Sequence, residues 1–491
     1  MPSNGHFSGL KTTISVLGDD PPRTHRINAN SFQQNALLTV NRWQYAAFYQ
    51  SKDGAGDSNA CYPTLARRFL RSSPGEDDGQ WEYLVFDDYE QTTDDGHNTI
   101  SIGICTGDGT IHVSYDHHCD PLRYRYSIQG LATHPTSHAW TAALFTTTSN
   151  TLPGLPHASY MDEVSYPRFV SVNDDLLLTY RIGQAGCGSD TLHRYSSSTH
   201  QYLPPPPPPP SSPSSSPSSS SPSPPILLAG GAASSPYING LDHDPRRNLL
   251  HVSWTYRAFV AYAGARDPRS AAHKRQAGPN GPENNYDLCY AWSADGGRVW
   301  RGGRSGGEGV KVADFGGKGE AIAPPGVGEG THTRAFGIER GSGVLNQEGQ
   351  CVEIGGGFFV LNRERWAEGV ERVERWVVYW RGVEGSWNRS PIDGYSPTET
   401  GSRGSVCADR DSNVYAILPG NTDSSLSIVK ASVAEEGHLR FETVWRQDGF
   451  DGEPLVDQPK MDERGIISIF TRTDRGADGK RKVVVIDVEL G

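Results

Sequence analysis

Histidine, tyrosine and arginine residues recur at strand ends and in loops of four segments, where they could carry acid–base chemistry on an acidic substrate. The segments and their residues are DDGHNTISIGI with His97 and Asn98, IHVSYDHHCDPLRY with His117, His118 and Arg123, VSYPRFVSVNDDLLLTYRIGQAGCGSD with Tyr166 and Arg181, and YINGLDHDPRRNLLHVSWTYR with Asn239 and Arg257. Histidine and tyrosine can transfer protons within hydrogen-bond reach. Arginine pairs with a carboxylate through two hydrogen bonds and keeps its charge. Each residue alone has an ordinary structural explanation, so the set is more informative than its members.

Seven predicted strands with the same turn-and-strand pattern must position these residues. Each follows a turn built on Gly, Asn or Asp, and alternates apolar with polar or aromatic residues, which predicts half-buried strands. They are WQYAAFY from Trp43, TIHVSYD from Thr110, LLLTYR from Leu176, LLHVSWTYR from Leu249, FFVLNR from Phe358, NVYAILP from Asn413 and IISIFTR from Ile466. They start 53 to 73 residues apart, except for one spacing of 109 that polar insertions explain.

All-β repeats of about four strands cannot bury a sheet face alone, so they must stack against their neighbours. Radial stacking leaves few exposed edges, and it predicts a single-domain, all-β, seven-bladed β-propeller over residues 28–490. Two packed β-domains are the alternative. Because equivalent positions of successive blades face the same central surface, we expect the polar side chains of the four segments to converge on one pocket.

The segment Ser293–Trp300, SADGGRVW, fits the pattern S-x-D-x-G-x-x-W of an Asp box. In this turn Asp295 is expected to bind backbone amides, and Trp300 to pack between strands. The pattern is a structural signal for propellers, found in sialidases and other carbohydrate enzymes, and it does not identify a reaction.

Composition excludes several partners. The chain has 45 Lys+Arg against 57 Asp+Glu, a net charge of −12, which argues against nucleic acid or an anionic membrane as partner. It has no apolar run long enough to span a membrane, and its N-terminal residues predict no export signal. A Pro/Ser-rich stretch, residues 203–225, predicts a solvated insertion; a role as an SH3 or WW ligand is the alternative.

The seven cysteines form no CxxC pair, and we interpret most of them as buried thiols, with one or two disulfides as an alternative for an exported protein. Cys119, Cys187, His117 and His193 are zinc-competent side chains without tight ligand spacing. We therefore expect no cofactor to be required for catalysis, and leave a structural calcium or zinc ion open.

Several of these motifs resemble the BNR-4-type β-propeller polysaccharide lyases, which include ulvan lyases. The resemblance is carried by HN at 97–98, HH at 117–118, SYPRF at 165–169 and YRIGQAGCGSD at 180–190, and by the spacings of His97 to His118 and Tyr166 to Arg181. Among these enzymes the sequence is most similar to the fungal L-rhamnose-α-1,4-D-glucuronate lyases, which act on rhamnosyl caps of gum arabic and similar arabinogalactan glycans. The resemblance covers residues 28–490 except for the insertions. A substrate of this class would suit an extracellular location.

The resemblance implies β-elimination by a monomeric enzyme at C4 of a glucuronate. Elimination removes the C5 proton, so the carboxylate must be neutralised, for which Arg181 and Arg257 are the candidates. Tyr166 and one of His97 and His118 would transfer the protons, with Asn98, His117 and Asn239 binding substrate. We favour Tyr166 as the acid, because a tyrosine is a poor base unless a cation such as Arg181 lowers its pKa.

Other functions remain as alternatives. An ulvan-type endolytic lyase would use the same residues, and the sequence does not distinguish exo from endo action. A sialidase-like hydrolase would explain the Asp box, but YRIG at 180–183 lacks the proline of the (F/Y)RIP motif, and only one full Asp box is present. A non-catalytic glycan-binding propeller would repeat its sites blade by blade, whereas the polar set is concentrated in the second to fourth repeats.

Overall fold

The computed structural model describes most of the chain. The described residues are 9–51, 60–71, 78–204, 223–231, 234–262, 280–303, 309–315, 320–324, 328–368, 371–397, 401–421, 423–433 and 438–490. Most of the predicted Pro/Ser-rich insertion, residues 205–222, lies outside them.

Strands make up nearly all of the regular structure. The first half contains β1 (Thr12–Asp19), β2 (Leu37–Val40), β3 (Trp43–Ser51), β4 (Cys61–Phe69), β5 (Glu82–Val85), β6 (Ile100–Ile104), β7 (Ile111–Tyr115), β8 (His118–Asp120), β9 (Tyr124–Tyr126), β10 (Val164–Val172), β11 (Asp175–Ile182), β12 (Ser189–Thr191), β13 (His193–Ser196), β14 (Gln201–Tyr202), β15 (Ile226–Leu228) and β16 (Ser234–Asp244). The second half contains β17 (Leu249–Ala258), β18 (Asn285–Ser293), β19 (Val299–Gly302), β20 (Val310–Asp314), β21 (Arg334–Phe336), β22 (Gly349–Val352), β23 (Phe358–Glu368), β24 (Glu371–Arg381), β25 (Trp387–Pro391), β26 (Ser405–Ala408), β27 (Val414–Pro419), β28 (Ser425–Val433), β29 (Leu439–Asp448), β30 (Leu455–Val456), β31 (Ile466–Arg472) and β32 (Lys482–Glu489).

Helices are short in the described residues. The α-helix α1 (Gln458–Arg464) begins after Asp457, whose side chain accepts a hydrogen bond from the backbone N–H of Lys460, and ends at Gly465 with φ of 67°. An N-cap carboxylate and a left-handed glycine are the usual ends of an α-helix. The 3₁₀ helices are Pro135–Ser137, Ala142–Leu144, Ser159–Met161, Pro282–Asn284 and Gly328–Thr333.

The described strands form seven antiparallel sheets arranged as an all-β propeller. Their strand orders are β2-β3-β4-β5, β6-β7-β9, β14-β13-β11-β10-β8 with β12 and β15, β16-β17-β18-β19-β20 with β21, β22-β23-β24-β25, β26-β27-β28-β29, and β1-β32-β31-β30. Each of the seven predicted strands is found, and each belongs to a different sheet as β3, β7, β11, β17, β23, β27 or β31. In the last sheet the N-terminal strand β1 pairs with the C-terminal strand β32, which joins the two ends of the chain.

Six of these sheets have at least four strands, while the sheet of β6, β7 and β9 has three. Its first strand β6 contacts β2 and β3 on one side and β10 on the other, so this sheet is packed between two neighbours. Ile100, Ile102 and Ile104 are fully buried there. Similar apolar layers lie between the other sheets. The count of seven blades stays a prediction, since only the propeller fold itself is shown.

The Asp box forms the predicted turn between β18 and β19. The Asp295 carboxylate accepts hydrogen bonds from the backbone N–H groups of Arg298 and Val299, at 3.1 and 2.8 Å. Trp300 is fully buried, and its indole N–H donates to the carbonyl of Gly297 at 3.0 Å. Both predictions for this motif are confirmed.

All seven cysteines are free thiols, and five of them are buried, which agrees with the interpretation as structural thiols. Cys187 is exposed and Cys119 is half-buried. Within the described part of the chain, no helix is both long enough and apolar enough to cross a membrane.

Candidate active site

Two predicted histidines share one carboxylate that the sequence did not single out. Asp95 Oδ1 lies 2.5 Å from His97 Nδ1, and Asp95 Oδ2 lies 2.6 Å from His118 Nδ1. The imidazole rings stack with centroids 4.0 Å apart. We call Asp95, His97 and His118 the histidine cluster. The loop before β6 and the start of β8 bring them together.

Hydrogen bonds from Asn98 and Asn30 fix the loop that carries Asp95. The carbonyl of Asp95 accepts from the backbone N–H of Asn98 at 3.0 Å, and the Asn30 side chain donates to the carbonyl of Gly96 at 2.8 Å. Phe32 stacks on His97 at 5.2 Å with the planes 9° apart, which makes His97 the middle ring of three. These contacts fix the ring orientation that a proton-transfer group requires.

Charge distribution in the histidine cluster favours an ionised carboxylate and a neutral imidazole. Burial acts to raise the pKa of Asp95, but the hydrogen bonds from His118 and His97 outweigh it and hold that pKa well below its ordinary value. Burial lowers the pKa of His97 below its ordinary value, against the opposing effect of Asp95. A neutral His97 at pH 7 is able to accept a proton.

Tyr166 lies next to this cluster, on a bulge in β10. Its ring centroid is 4.8 Å from that of Phe32 and 5.8 Å from that of His97. The register of β10 shifts between Ser165 and Arg168, and Tyr166 has φ of 55°. Left-handed backbone is strained for a residue with a side chain, and such strain is common where a side chain must be aimed at a site.

The phenol of Tyr166 is held in its protonated form. Burial raises the pKa of Tyr166 well above its ordinary value, and Tyr237 adds to this effect. Arg181 and Arg257 act to lower this pKa, but the effect of burial is larger, so the condition under which Tyr166 could serve as a base is not met. A protonated phenol is suited to donate a proton, which agrees with the expectation that Tyr166 is the acid.

Arg181 lies beside this tyrosine but is buried and already bonded. Its Nη1 donates to the carbonyl of Pro236 at 2.6 Å, and its Nη2 donates to the carbonyl of Gln184 at 3.1 Å and to the hydroxyl of Ser235. A Cβ at Gly188 would lie 2.6 Å from Cζ of Arg181, so only glycine leaves room for the guanidinium. Arg181 is therefore fixed in place, with its terminal nitrogens occupied by the protein.

Arg257 and Arg181 both lie over the ring of Tyr237, with Cζ at 4.7 and 4.1 Å from its centroid. We call these three residues the arginine cluster. Arg257 is held by Asn285 at 2.8 Å, by the carbonyl of Asn280 and by Asn346. Tyr237 was missed by sequence reasoning, although it stands in the segment that supplied Asn239. Two cations over one ring give a rigid region of positive charge.

A third arginine reaches the same region from a distant part of the chain. Arg403 lies over Phe32 at 4.8 Å, and it donates to the carbonyl and the side chain of Asn346, which also binds Arg257. No local pattern marks Phe32, Asn346 or Arg403 as members of a site. Their proximity follows from closure of the propeller, which sequence reasoning could not locate.

Asn98 and His117 are the chain neighbours of His97 and His118, but their side chains bond to other residues. The Asn98 amide donates to Asp116 at 2.7 Å, and His117 Nε2 accepts from the backbone N–H of Arg123 at 2.7 Å. Both side chains are 1% exposed. The structure therefore places these two predicted substrate-binding residues among packing contacts, while His97, His118 and Tyr166 are brought together.

Asn239 belongs to a separate cavity of about 740 Å³. Its lining includes Gln33, Arg168 and Asp242, and does not include the histidine cluster or Tyr166. Asn239 is 1% exposed, and neither atom of its amide has a hydrogen-bond partner among the described residues.

Only the histidine cluster, within the described residues, brings three or more potential metal ligands together, with donor atoms within 4.8 Å of one another. Cys119, Cys187, His117 and His193 form no such group there. Two nitrogen or oxygen ligands of one zinc ion are separated by about 3.3 Å, because each bond is about 2 Å long in tetrahedral geometry. The spacings of 2.5 and 2.6 Å between Asp95 and the histidines are those of hydrogen bonds.

The model of the BNR repeat-containing family matches residues 43–394, which is most of the chain. The protein belongs to this family. No curated protein sequence matches the chain significantly. The match begins at the first of the seven predicted strands and contains the Asp box and both clusters.

Solved polysaccharide lyases have a similar fold. The structure of the polysaccharide lyase Uly1 has a TM-score of 0.62 and 15% identity, covering 94% of this chain and 90% of that one. An ulvan lyase of family PL25 has a TM-score of 0.58 and 12% identity, covering 96% and 95%. The same lyase bound to -[GlcA(1-4)Rha3S]- has a TM-score of 0.57 and 12% identity, with the same coverage. At these identities the likeness shows a shared fold.

Proposed function

We propose that the protein is a polysaccharide lyase that cleaves glucuronate-containing glycans by β-elimination. The observation that carries this proposal is the placement of two carboxylate-bound histidines beside a protonated tyrosine and two fixed arginines. This arrangement offers a base, an acid and positive charge within one region. Similarity of fold to known polysaccharide lyases adds support.

The first requirement of elimination is a more acidic C5 proton. Neutralising the substrate carboxylate lowers the energy of the carbanion-like transition state, and preorganised positive charge does this efficiently in a site that excludes water. Arg181 and Arg257 would supply that charge. Because their terminal nitrogens are already bonded to the protein, we propose that they act mainly through their fixed charge beside Tyr166.

Proton transfer would then use the histidine cluster and Tyr166. In glucuronate the C5 hydrogen and the C4 oxygen lie on the same face of the ring, so base and acid approach from one side. A neutral imidazole of His118 or His97 would take the C5 proton, and Tyr166 would give its proton to the C4 oxygen. The lowered pKa of His97 and the raised pKa of Tyr166 fit these roles.

We propose the L-rhamnosyl-α-1,4-D-glucuronate linkage of gum arabic or arabinogalactan-type glycans as the substrate. Elimination would release L-rhamnose with the C4 oxygen and leave a 4,5-unsaturated glucuronate on the chain. The sequence motifs that resemble fungal rhamnose–glucuronate lyases support this choice. Incubating the protein with gum arabic should yield free rhamnose together with ultraviolet absorbance of the unsaturated uronate, and should do so in chelator. Rhamnose without absorbance would indicate hydrolysis and contradict the proposal.

An ulvan-type endolytic lyase is the second candidate. It is favoured by the fold shared with the PL25 ulvan lyase, whose bound ligand -[GlcA(1-4)Rha3S]- also joins rhamnose and glucuronate. Ulvan treated with the protein would then gain absorbance and lose viscosity without release of free rhamnose. Binding of either glycan without any new absorbance would instead favour a glycan-binding propeller.

We further propose that the seven sheets are seven blades of one monomeric domain, which extends the expected bounds of 28–490 to include β1 (Thr12–Asp19). The three-stranded sheet is packed between neighbours on both sides, as a blade would be. A single cooperative unfolding transition and a monomer mass by light scattering are expected. Two separate transitions would favour two packed β-domains.

A further inference from the structure

We propose that Asp95 is a positioning residue that holds His97 and His118 in the same tautomer and presents a basic Nε2 atom of each ring to the substrate. The inference rests on the proposed function for its kinetic consequences, but not for its structural content. The sequence pattern gave no reason to select Asp95, because acidic residues are common in the loops of this chain.

The two hydrogen bonds determine which nitrogen carries the proton. An ionised carboxylate only accepts hydrogen bonds, and the pKa of Asp95 is held low, so each bonded Nδ1 must be the donor. A neutral imidazole has one N–H, and therefore Nε2 of each ring has a free lone pair. In the described residues no hydrogen bond occupies Nε2 of either histidine, which leaves both atoms available to a substrate.

Sharing one carboxylate also limits the pair to a single added proton. Once one ring becomes an imidazolium, Asp95 compensates its charge directly. A second imidazolium, with its centroid only 4.0 Å away, would then be opposed by the like charge of its neighbour and of Arg403 near His97. The pair can therefore accept the C5 proton on one ring while the other ring stays neutral.

The geometry leaves little freedom for either ring to rotate away. His97 is enclosed by Phe32 on one side and His118 on the other, and its backbone N–H also donates to Asp95 Oδ1 at 2.9 Å. The backbone N–H of His118 donates to Asp120 at 3.3 Å. Removing the carboxylate would thus change the tautomers before it changed the positions of the rings.

The variant Asp95→Asn tests this role. Its amide can accept from one Nδ1–H but presents N–H donors toward the other ring, which would adopt the Nε2–H tautomer. We expect kcat to fall by about 10²- to 10⁴-fold, as when an orienting carboxylate is replaced by an amide in other enzymes, with KM nearly unchanged because both Asp95 oxygens are already bonded to the histidines. Asp94→Asn is the matched control: this neighbour tethers the same loop through the N–H groups of Thr24 and His25, and should leave kcat nearly unchanged.

A spectroscopic measurement separates this role from a purely structural one. Nitrogen-15 NMR of histidine-labelled full-length protein should show two rings protonated at Nδ1, assigned by their disappearance in His97→Ala and His118→Ala. Asp95→Asn should convert one of them to the Nε2–H form. The wild-type spectrum alone answers the question if Asp95→Asn does not fold.

Three results would overturn the inference. They are Nε2–H tautomers in the wild-type protein, metal-bound Nδ1 atoms together with activity that chelator abolishes and zinc restores, or equal kcat for Asp95→Asn and Asp94→Asn. The proposed function fails differently. If the wild-type protein produces no unsaturated uronate from any glucuronate-containing glycan, the tautomer measurement still decides the role of Asp95.

Discussion

The histidine cluster and the arginine cluster lie beside the same tyrosine but are constructed in opposite ways. The side chains of His97 and His118 are 36% and 12% exposed, and their known bonds go to one carboxylate. Arg181 and Arg257 are 2% and 8% exposed, and carbonyl, hydroxyl and amide oxygens occupy their nitrogens. Among the described residues, the histidine cluster leaves the Nε2 atoms of both rings open, whereas Arg181 and Arg257 each donate three hydrogen bonds to the protein.

Under the proposed function, this difference separates two tasks within one site. A proton-transfer group needs a free atom and a tuned pKa, whereas a source of positive charge needs only to be close and immobile. Changes in the histidine cluster should therefore affect turnover with little effect on folding. Changes in the arginine cluster should affect folding and activity together.

The largest expected effect is in the proton-transfer groups. Tyr166→Phe and His118→Ala each remove a proton route while leaving most of the pocket, so kcat should fall by about 10²-fold or more with KM nearly kept. Steady-state kinetics on a rhamnosyl-glucuronate substrate measure both values. His200→Ala, an exposed histidine paired with Asp108, serves as the control.

His97→Ala should give the same pattern if this ring is the base. A rise in KM with kcat kept would instead make it a substrate contact. Near-normal turnover in Tyr166→Phe and in both histidine variants would show that the site has been placed wrongly.

Arg181→Lys should weaken both activity and stability. Lysine keeps the charge but cannot reach the acceptors on Pro236, Gln184 and Ser235 together, and each lost hydrogen bond to a charged group costs about 1.5–3 kcal/mol. We expect kcat/KM to fall about 10- to 100-fold. The free energy of unfolding in urea should fall by at least the cost of one such hydrogen bond. A loss of activity at unchanged stability would contradict the view that the arginine cluster couples folding to activity.

Gly188→Ala tests the arginine cluster without removing a charge. The added methyl group would collide with the Arg181 guanidinium and with the backbone carbonyl of Ile182, and overpacking of this kind costs about 1–3 kcal/mol. The variant should lose stability and shift activity in the direction of Arg181→Lys, to a smaller extent. Gly337→Ala is the matched control, because its Cβ would meet no atom within 4 Å.

The pH dependence of kcat/KM should have a wide plateau. The base must be unprotonated, so activity is lost as pH falls through the pKa of His97, which burial places below 6.5. The acid must be protonated, so activity is lost as pH rises through the pKa of Tyr166, which burial places above 10. A rate profile between pH 5 and 10 should therefore show loss of activity on the acid side alone; an acid limb above pH 6.5 would argue against His97 as the base, and a basic limb below pH 10 would argue against Tyr166 as the acid.

Deleting residues 205–222 should have the smallest effect. The segment is Pro and Ser without apolar side chains, so its removal takes away no core contact, and shortening a loop changes its closure entropy only slightly. Thermal unfolding should stay within a few degrees of the full chain, and kcat should be unchanged. Loss of soluble expression would show that the insertion is part of the fold.

Local patterns were sufficient to predict the strands and the Asp box. Alternation at WQYAAFY and LLHVSWTYR reflects side chains that face two different layers, and the Ser293–Trp300 turn is stabilised by its own residues. His97, His118 and Tyr166 were found because they flank such strands in consecutive sheets.

The remaining members of the site depend on contacts between distant residues. Phe32 and Arg403 meet across the ring of sheets, and nothing near either residue in the sequence indicates the other. Asp95 was overlooked because its role depends on the orientation of two rings. The burial of Arg181 depends on Gly188 and on the Pro236 carbonyl of β16, which no motif records.

The pairing of β1 with β32 has a consequence for biosynthesis. Thr12 is opposite Val488, so this sheet cannot be completed until β32 has left the ribosome. Pairing between strands so far apart in the sequence is entropically slow, and until it occurs the facing edges of β1 and β32 are open to wrong partners. Chaperone demand during synthesis should therefore be concentrated at the late step in which β1 and β32 meet.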